Sequence, residues 1–219
     1  MLTDRFDAAL LFAAKLHRSQ SRKGPKIPYL GHLLAVAALV IDDGGSEDEA
    51  IAALLHDSIE DQGRNFQGGR EALRTHIRDQ FGSQVAAIVD ACTDDEGFAK
   101  GAAATPEEER ALWLKRKQQY VESIAHKTPE ALRVTTADKV HNAESILDAY
   151  AKVGQEIWNR FRTKSRDDTI DNYRNLSDAI TAQNEKLTPD RRSGLPHRLA
   201  RAVDLLEKQT EDETHGEKG

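Results

Sequence analysis

The sequence predicts an all-α fold of about nine to ten helices. Apolar residues recur at helical spacing in nearly every segment of the 219-residue chain, and no segment shows the alternation of a convincing strand. Capping residues, prolines and glycines stand between these segments, where helices begin and end. The composition agrees, since 38% hydrophobic, 31% charged and only 5% aromatic residues suit a helical protein.

Three helices are expected in the N-terminal part of the chain. The first covers residues 6–16 and follows Thr3, whose side chain is suited to capping it. Residues 19–31 combine glycine and proline with basic residues and should form a loop or a short extended link. The second helix runs from about 32 to 41. Ser46 and Glu49 then form a capping box that starts a third helix, which we expect to continue toward Asp61.

The rest of the chain is predicted to contain further helices and one mobile segment. Residues 94–105, rich in Gly and Ala, form the expected mobile loop. A proline after a capping threonine, at Thr105-Pro106 and Thr128-Pro129, marks two helix starts. The further helices are expected over 69–81, 83–92, 106 to about 126, 131–150, around 157–158, 168–183 and from Pro196 onward. We expect residues 1–210 to form a single domain and the charged residues 211–219 a disordered tail.

The charge and the cysteine content exclude several classes of protein. A formal net charge of -6 argues against broad nucleic-acid binding, which needs a basic face, but is compatible with a small anionic substrate. Cys92 is the single cysteine, so no internal disulfide can form. No segment approaches the roughly 20 apolar residues of a membrane span, and the first residues lack the charge pattern of a secretory signal. We therefore expect a cytoplasmic protein, with its oligomeric state left open.

The chemically informative feature is a set of two histidines and two aspartates. His56 and Asp57 end the apolar run 51–55, where burial of an ionisable pair is costly unless the pair is ligated or hydrogen-bonded. Asp138 follows a similarly apolar stretch, and His32 precedes both. Imidazole combined with carboxylate suits Mn, Fe, Zn or Co, whereas Ca and Mg prefer oxygen alone. The set predicts a divalent-metal site built from several helices, although an ordinary amphipathic helix would explain each segment taken alone.

A second pair of carboxylates lies close by in the sequence. Glu60 and Asp61 follow Asp57 by three and four positions, which places them on the same face of the predicted helix, one turn away. A carboxylate beside a metal-bound water is a natural proton acceptor. These two residues are therefore the candidates for a general base.

Several sequence blocks, taken in order, resemble the HD-domain alarmone hydrolases: the hydrolase domain of the RelA/SpoT homologues and their single-domain relatives, the small alarmone hydrolases. The blocks are His17-Arg18-Ser19-Gln20-Ser21-Arg22-Lys23 leading to Pro28-Tyr29-Leu30-Gly31-His32, then Ala53-Leu54-Leu55-His56-Asp57-Ser58-Ile59-Glu60-Asp61, Phe81-Gly82 with Cys92-Thr93-Asp94-Asp95, and Ala137-Asp138-Lys139-Val140-His141-Asn142. Trp158 and Tyr173 are similar to positions in the C-terminal helices of the single-domain members. The ordered set is far more specific than any one block, and it implies an HD-domain helical bundle.

The resemblance implies a role for each matching residue. Four residues would bind a metal, usually Mn²⁺ in this family, two carboxylates would position or deprotonate water, and four residues would contact the substrate. The implied ligands are His32, His56, Asp57 and Asp138, the carboxylates Glu60 and Asp61, and the substrate contacts Arg22, Lys23, Lys139 and Asn142. The implied reaction releases pyrophosphate from the 3′ position of a (p)ppGpp-type alarmone and leaves GDP or GTP.

One departure from the family pattern and two alternative functions accompany this reading. Two positions after Asn142 the family commonly has arginine, whereas this chain has Glu144. If that position faces phosphate, the anion would weaken binding of highly charged nucleotides or favour another substrate; if it faces solvent, the change has little effect. The first alternative is an adenosine alarmone such as ppApp, or another 2′- or 3′-phosphorylated nucleotide such as NADPH. The second is a non-catalytic HD module that binds a nucleotide without hydrolysing it.

Overall fold

The computed structural model describes residues 1–22, 26–93 and 105–216, with side chains as far as Glu211, and it confirms the all-α prediction. These residues contain nine α-helices and no strand beyond one isolated bridge between Ser21 and Pro28. They divide into two compact units, one formed by Met1–Asp94 with Lys127–Asp138 and the other by Asp95–His126 with Lys139–Gly219. The single domain over 1–210 stays a prediction. None of the described helices is long and apolar enough to cross a membrane.

The helices follow the predicted order along the chain. They are α1 (Asp4–Leu16), α2 (Leu30–Asp42), α3 (Glu47–Leu55), α4 (Gly69–Phe81), α5 (Ser83–Cys92), α6 (Pro106–Ser123), α7 (Pro129–Val153), α8 (Arg166–Glu185) and α9 (Leu195–Gly216). A π turn, Ser58–Gln62, follows α3. Short 3₁₀ segments cover Ile124–His126, Gly154–Arg160 and Pro189–Arg191.

The capping residues predicted from the sequence begin their helices as expected. Thr3 Oγ1 accepts a hydrogen bond from the Arg5 amide at 3.3 Å. At α3 the Ser46 amide donates to Glu49 Oε2 at 2.7 Å, and the Glu49 amide donates to Ser46 Oγ at 3.3 Å. This reciprocal pair is a capping box. Thr105 Oγ1 likewise accepts from an amide in the first turn of α6 at 3.2 Å.

The core of the first unit is built around α3. This helix contacts α1, α2 and α5, and every residue from Glu49 to Leu55 is buried. Full burial of a leucine or isoleucine side chain contributes about 1.5–3 kcal/mol, so the apolar surface of α3 holds the helix firmly in the interior. His56 and Asp57 follow directly at its C-terminal end. Burial of the apolar run therefore places this ionisable pair inside the unit.

The third helix ends earlier than predicted. We expected an α-helix through Asp61, but α3 stops at Leu55 and residues Ser58–Gln62 form a π turn. Ser58 and Ile59 are fully buried in this wider turn. An α-helix of the same sequence would also bury an apolar stripe, so periodicity does not distinguish the two geometries. Single π turns inside or beside α-helices are frequent at functional sites.

The second unit has a core of its own, formed by the C-terminal part of α7, the 3₁₀ segment Gly154–Arg160, α8 and α9. Its main apolar cluster contains Ile146, Tyr150, Ile157, Trp158, Ile170 and Leu206. Arg110 on α6 donates two hydrogen bonds to the buried carboxylate of Asp168 on α8, at 2.7 and 2.5 Å. This bidentate ion pair ties α6 to α8.

Three predictions fall partly or wholly outside the described residues. The predicted mobile loop 94–105 lies outside them except for Thr105, and Lys23 lies outside them as well. α9 is helical as far as Gly216, past residue 211, where the disordered tail was predicted to begin. Residues 217–219 are not among those described.

Candidate metal centre

Three segments of the first unit bring the two histidines and two aspartates together. His32 lies in the first turn of α2, His56 and Asp57 directly follow α3, and Asp138 lies within α7. Both imidazoles are buried, and Asp138 is 8% exposed. Directly before α2, the Tyr29 amide donates a hydrogen bond to the Gln20 carbonyl at 3.0 Å. Residues far apart in the sequence thus meet at one point in the unit interior.

The nitrogen and oxygen atoms of this cluster lie within ligand–ligand distance of one another. His32 Nε2 is 3.5 Å from Asp57 Oδ2 and 3.3 Å from Asp138 Oδ1. His56 Nε2 is 3.0 Å from Asp57 Oδ2 and 3.7 Å from Asp138 Oδ1. Around an ion with bonds of about 2.1 Å, neighbouring ligand atoms stand about 3.0 Å apart in an octahedron and about 3.4 Å apart in a tetrahedron. The observed separations match these values.

The tautomer of His56 shows which nitrogen is available to a cation. Its Nδ1 lies 2.8 Å from the Ala53 carbonyl oxygen, and a carbonyl only accepts, so Nδ1 carries the hydrogen. In the neutral ring, which is the form that binds a metal, Nε2 then bears the lone pair. It is buried, and no residue in the described part of the chain makes a hydrogen bond with it. A buried lone pair that faces two carboxylates is the arrangement a metal ligand requires.

The charges of the cluster also favour a cation at its centre. Burial alone would lower the pKa of His56, but the Asp57 and Asp138 carboxylates outweigh it and hold this pKa well above its ordinary value. Burial would likewise raise the pKa of Asp57, but His56 and His32 hold it well below its ordinary value. Without a metal, the site therefore stabilises a proton on the His56 nitrogen that faces the ionised carboxylates, and a divalent ion would replace that proton. Two imidazoles and two carboxylates fit a divalent transition metal.

Tyr29 supports the cluster from the side of α2. Its hydroxyl donates to Asp57 Oδ2 at 2.5 Å, while its ring stacks on His17 and meets the edge of His32, with centroids 5.6 and 5.3 Å away. Burial and the Asp57 charge raise the pKa of Tyr29 far above its ordinary value, so the hydroxyl keeps its proton and remains a donor. Such outer hydrogen bonds orient ligand carboxylates.

The two candidate bases lie in the π turn beside the cluster. Glu60 is half-buried. Asp61 is exposed to solvent, but its Oδ2 accepts a hydrogen bond from Gln20 Nε2 at 2.6 Å. Partial removal from water, and then the charge of Asp57, raise the pKa of Asp61 above its ordinary value. A carboxylate with a raised pKa is a better proton acceptor near neutral pH.

The predicted substrate contacts fall into two groups. Arg22 is half-buried in the first unit, where its amide donates to the Ile27 carbonyl at 3.0 Å. Lys139 and Asn142 follow Asp138 on α7 but belong to the second unit. There the Lys139 ammonium lies 5.1 Å from the centre of the Tyr120 ring. The structure does not bring these residues together in one unit, and their contact with substrate stays a prediction.

Glu144, the departure from the family pattern, has a cationic partner. Arg198 on α9 donates to both of its carboxylate oxygens, from Nε at 2.6 Å and from Nη2 at 2.9 Å. The bidentate geometry offsets the negative charge at this position. Sequence reasoning missed this pairing because Arg198 lies in a different helix, with no spacing signal that connects it to Glu144.

Sequence reasoning assigned no role to Tyr29, His17 or Gln20, although all three stand in the first block. A tyrosine and a histidine at the boundary between a loop and a buried helix were the available signal. Their partners could not be deduced because Asp57, Ser58 and Asp61 come from another segment.

Two buried imidazoles and two carboxylates that converge in an all-helical fold are typical of a helical metalloprotein. The HD-domain family matches residues 9–168, which is most of the chain, and the chain belongs to this family. The resemblance predicted from the sequence blocks is thereby confirmed. The family also implies a divalent metal, in agreement with the possible site formed by His32, His56 and Asp57.

Individual relatives place the chain more narrowly within the family. It is 36% identical over 148 residues to guanosine-3′,5′-bis(diphosphate) 3′-pyrophosphohydrolase MESH1 of Xenopus tropicalis, covering 64% of this chain and 71% of that protein. The human MESH1 is 33% identical over 138 residues, covering 62% of this chain and 65% of that protein. Among solved structures, a metazoan orthologue of SpoT, described as hydrolysing ppGpp, superposes with a TM-score of 0.66 at 22% identity, covering 95% of this chain and 97% of that one. That likeness shows the shared fold.

Proposed function

We propose that this protein hydrolyses the 3′-pyrophosphate of a guanosine alarmone such as ppGpp, with Mn²⁺ as its metal. The observation that carries the proposal is the position of His56 Nε2, which is buried opposite two carboxylates. The named activity of the MESH1 relatives supports the substrate class. The cytoplasmic location expected from the sequence is part of the same proposal.

In the proposed site the ligands are His32, His56, Asp57 and Asp138. When bound, the metal would act as a Lewis acid that offsets phosphate charge and makes water more acidic. The protein itself orients the ligand side chains. The Ala53 carbonyl holds the His56 ring, which keeps Nε2 directed at the aspartates.

The proton of the attacking water passes to a carboxylate of the π turn. Asp61 Oδ2 is engaged by the Gln20 amide, which leaves Oδ1 to take the proton. Glu60, half-buried in the same turn, helps to hold the water. The water oxygen bonds to the phosphorus next to the ribose, the bond from that phosphorus to the 3′ oxygen breaks, and the 3′ oxygen takes up a proton. From ppGpp the products are GDP and pyrophosphate.

The substrate is an anion and requires cationic groups. Arg22 and Lys23 are proposed to contact the nucleobase or phosphates, and Lys139 and Asn142 the ribose and 3′-phosphates. A guanidinium and an ammonium supply the hydrogen bonds and charge that phosphate oxygens need.

The test combines metal analysis of the purified protein with pyrophosphate release from ppGpp and ppApp, and phosphate release from NADPH, in the presence of Mn²⁺. We expect one equivalent of divalent metal per chain and fastest release from ppGpp. Faster turnover of ppApp or NADPH would show that the substrate is that nucleotide and not a guanosine alarmone. Binding of nucleotide without turnover of any of the three would show a non-catalytic module.

Substitution of the proposed bases separates chemistry from metal binding. Glu60→Gln and Asp61→Asn should each lower kcat by about 100-fold or more while the metal content is unchanged, because neither residue is a ligand. Asp79→Asn, an exposed carboxylate on α4, is the matched control and should keep full activity. Full activity in both base variants would show that another group accepts the proton.

A further inference from the structure

A network of hydrogen-bonded side chains ends at Asp61 and includes residues to which the proposed function gives no role. Gln20 Nε2 donates to Asp61 Oδ2 at 2.6 Å. Gln20 Oε1 lies 2.7 Å from His17 Nδ1 and also accepts from the Gln62 side-chain amide. His17 Nε2 lies 3.4 Å from Ser58 Oγ. His17 and Ser58 are buried, so this network begins inside the first unit and ends at a partly exposed carboxylate.

The direction of each hydrogen bond follows from the chemistry of Asp61. An ionised carboxylate only accepts, so the NH₂ end of the Gln20 amide must face it. The amide oxygen of Gln20 then faces His17, whose Nδ1 must carry the hydrogen. Burial lowers the pKa of His17, which keeps the ring neutral and leaves a lone pair on Nε2. Ser58 is the donor on that side.

The network therefore has one consistent set of hydrogen-bond directions, fixed at its buried end by His17 and at its exposed end by Asp61. Gln20 uses both ends of its amide, which prevents the amide from rotating to present oxygen to Asp61. Without the Gln20 amide, the Asp61 side chain would lose its partner at Oδ2 and could turn toward solvent. Misplacement of a catalytic group by about 1 Å can cost about 100-fold in rate.

We propose that Gln20 is a positioning residue that holds the Asp61 carboxylate with Oδ1 toward the attacking water, and that His17 fixes the orientation of the Gln20 amide. This inference rests on the proposed function, in which Asp61 accepts the proton. It assigns to two residues of the first sequence block a physical task in the reaction.

The first experiment compares Gln20→Leu with Gln67→Leu, the same change at an exposed glutamine of the same unit. Gln20→Leu should lower kcat for ppGpp by about 10- to 100-fold with KM and metal content nearly unchanged, because the substrate and metal contacts remain. The thermal midpoint should fall by a few degrees, because the buried Nδ1–H of His17 loses its acceptor. Gln67→Leu should match the wild type. A Gln20→Leu protein with kcat within about 2-fold of the wild type would overturn the proposal.

A double-mutant cycle tests whether Gln20 acts through Asp61. In an Asp61→Asn background the further change Gln20→Leu should alter kcat by less than about 2-fold, because the group that it positions is gone. If the two losses multiply instead, Gln20 acts independently of Asp61 and the proposal is wrong.

The His17 variants provide rescue by a conservative change. The side-chain amide of asparagine can donate near the position of imidazole Nδ1, so His17→Asn should keep most of kcat, whereas His17→Leu should resemble Gln20→Leu. Equal loss in both His17 variants would show that His17 serves packing alone.

A measurement without turnover distinguishes failure of this inference from failure of the proposed function. In protein with ¹⁵N-labelled glutamine and diamagnetic Zn²⁺, the Gln20 side-chain resonance is identified by its loss in Gln20→Leu. Its proton should move upfield in Asp61→Asn, because a charge-assisted hydrogen bond becomes a neutral one. An unmoved resonance overturns the Gln20–Asp61 contact. If the resonance moves in Asp61→Asn but the wild-type protein is inactive on all three nucleotides, the proposed function is wrong, and with it the catalytic task of Gln20.

Discussion

Replacement of Asp138 by asparagine should separate metal-linked stability from stability of the fold. Asp138 Oδ1 lies 3.3 Å from His32 Nε2 and 3.7 Å from His56 Nε2, so its charge completes the proposed ligand set. A ligand that binds only the folded state at 100 times its Kd adds about 2.7 kcal/mol to the free energy of unfolding. For a chain of this size about 2–4 °C of Tm corresponds to 1 kcal/mol, so we expect Mn²⁺ to raise Tm by about 5–11 °C.

The same metal concentration should stabilise Asp138→Asn far less. Loss of an outer partner of a ligand already costs about 10- to 100-fold in metal affinity, so loss of a ligand carboxylate should cost at least about 100-fold. The metal concentration is then close to the new Kd, the stabilisation falls to about 0.4 kcal/mol, and the rise in Tm falls to about 1–2 °C.

Thermal unfolding followed by far-ultraviolet circular dichroism, with Mn²⁺ and with a chelator, measures this rise for each protein separately. Comparison within each variant removes any effect of the substitution on the metal-free fold. Asp148→Asn, at an exposed position of the same helix, is the matched control and should keep the full rise. An undiminished rise in Asp138→Asn would refute the assignment of Asp138 as a ligand.

Two further predictions concern ion pairs, one set within the first unit and one pair within the second. Arg133→Met should lower the free energy of unfolding by about 3–5 kcal/mol in urea denaturation, because it leaves two largely buried carboxylate partners uncompensated, whereas Arg5→Met, at an exposed pair, should cost less than about 1 kcal/mol. A cost below 1 kcal/mol for Arg133→Met would contradict the buried network. Arg110 lowers the pKa of Asp168 below its ordinary value, so the stability that this pair contributes is present above the unfolded pKa of about 4 and is lost as pH falls through the folded one. Arg110→Met should therefore be less stable than the wild type at pH 7 and approach it below pH 4, as a stability–pH profile would show; a constant difference would exclude this linkage.

The helix order was predictable because its signals are local. Thr3, Ser46 and Thr105 cap helices within a few residues of themselves, and the structure shows each cap where it was predicted. Apolar spacing likewise indicated burial of α3. The same local signals were wrong about the end of that helix, because an α turn and a π turn bury the same apolar positions.

The candidate site was predictable in composition but not in its connections. An ionisable pair after an apolar run indicated that His56 and Asp57 would be buried with partners. No local signal connects Gln20 to Asp61, or Arg198 to Glu144, because each pair joins segments whose contact depends on the packed fold.

By itself, the sequence determined the helical class, most helix starts and the family, since capping, periodicity and ordered motifs are properties of short stretches of chain. Only the tertiary structure decided which atoms face one another: His56 Nε2 toward two carboxylates, and the Gln20 amide toward one oxygen of Asp61. Hydrogen-bond direction depends on the angles between side chains from separate segments. Those angles are set when the apolar faces of the helices pack.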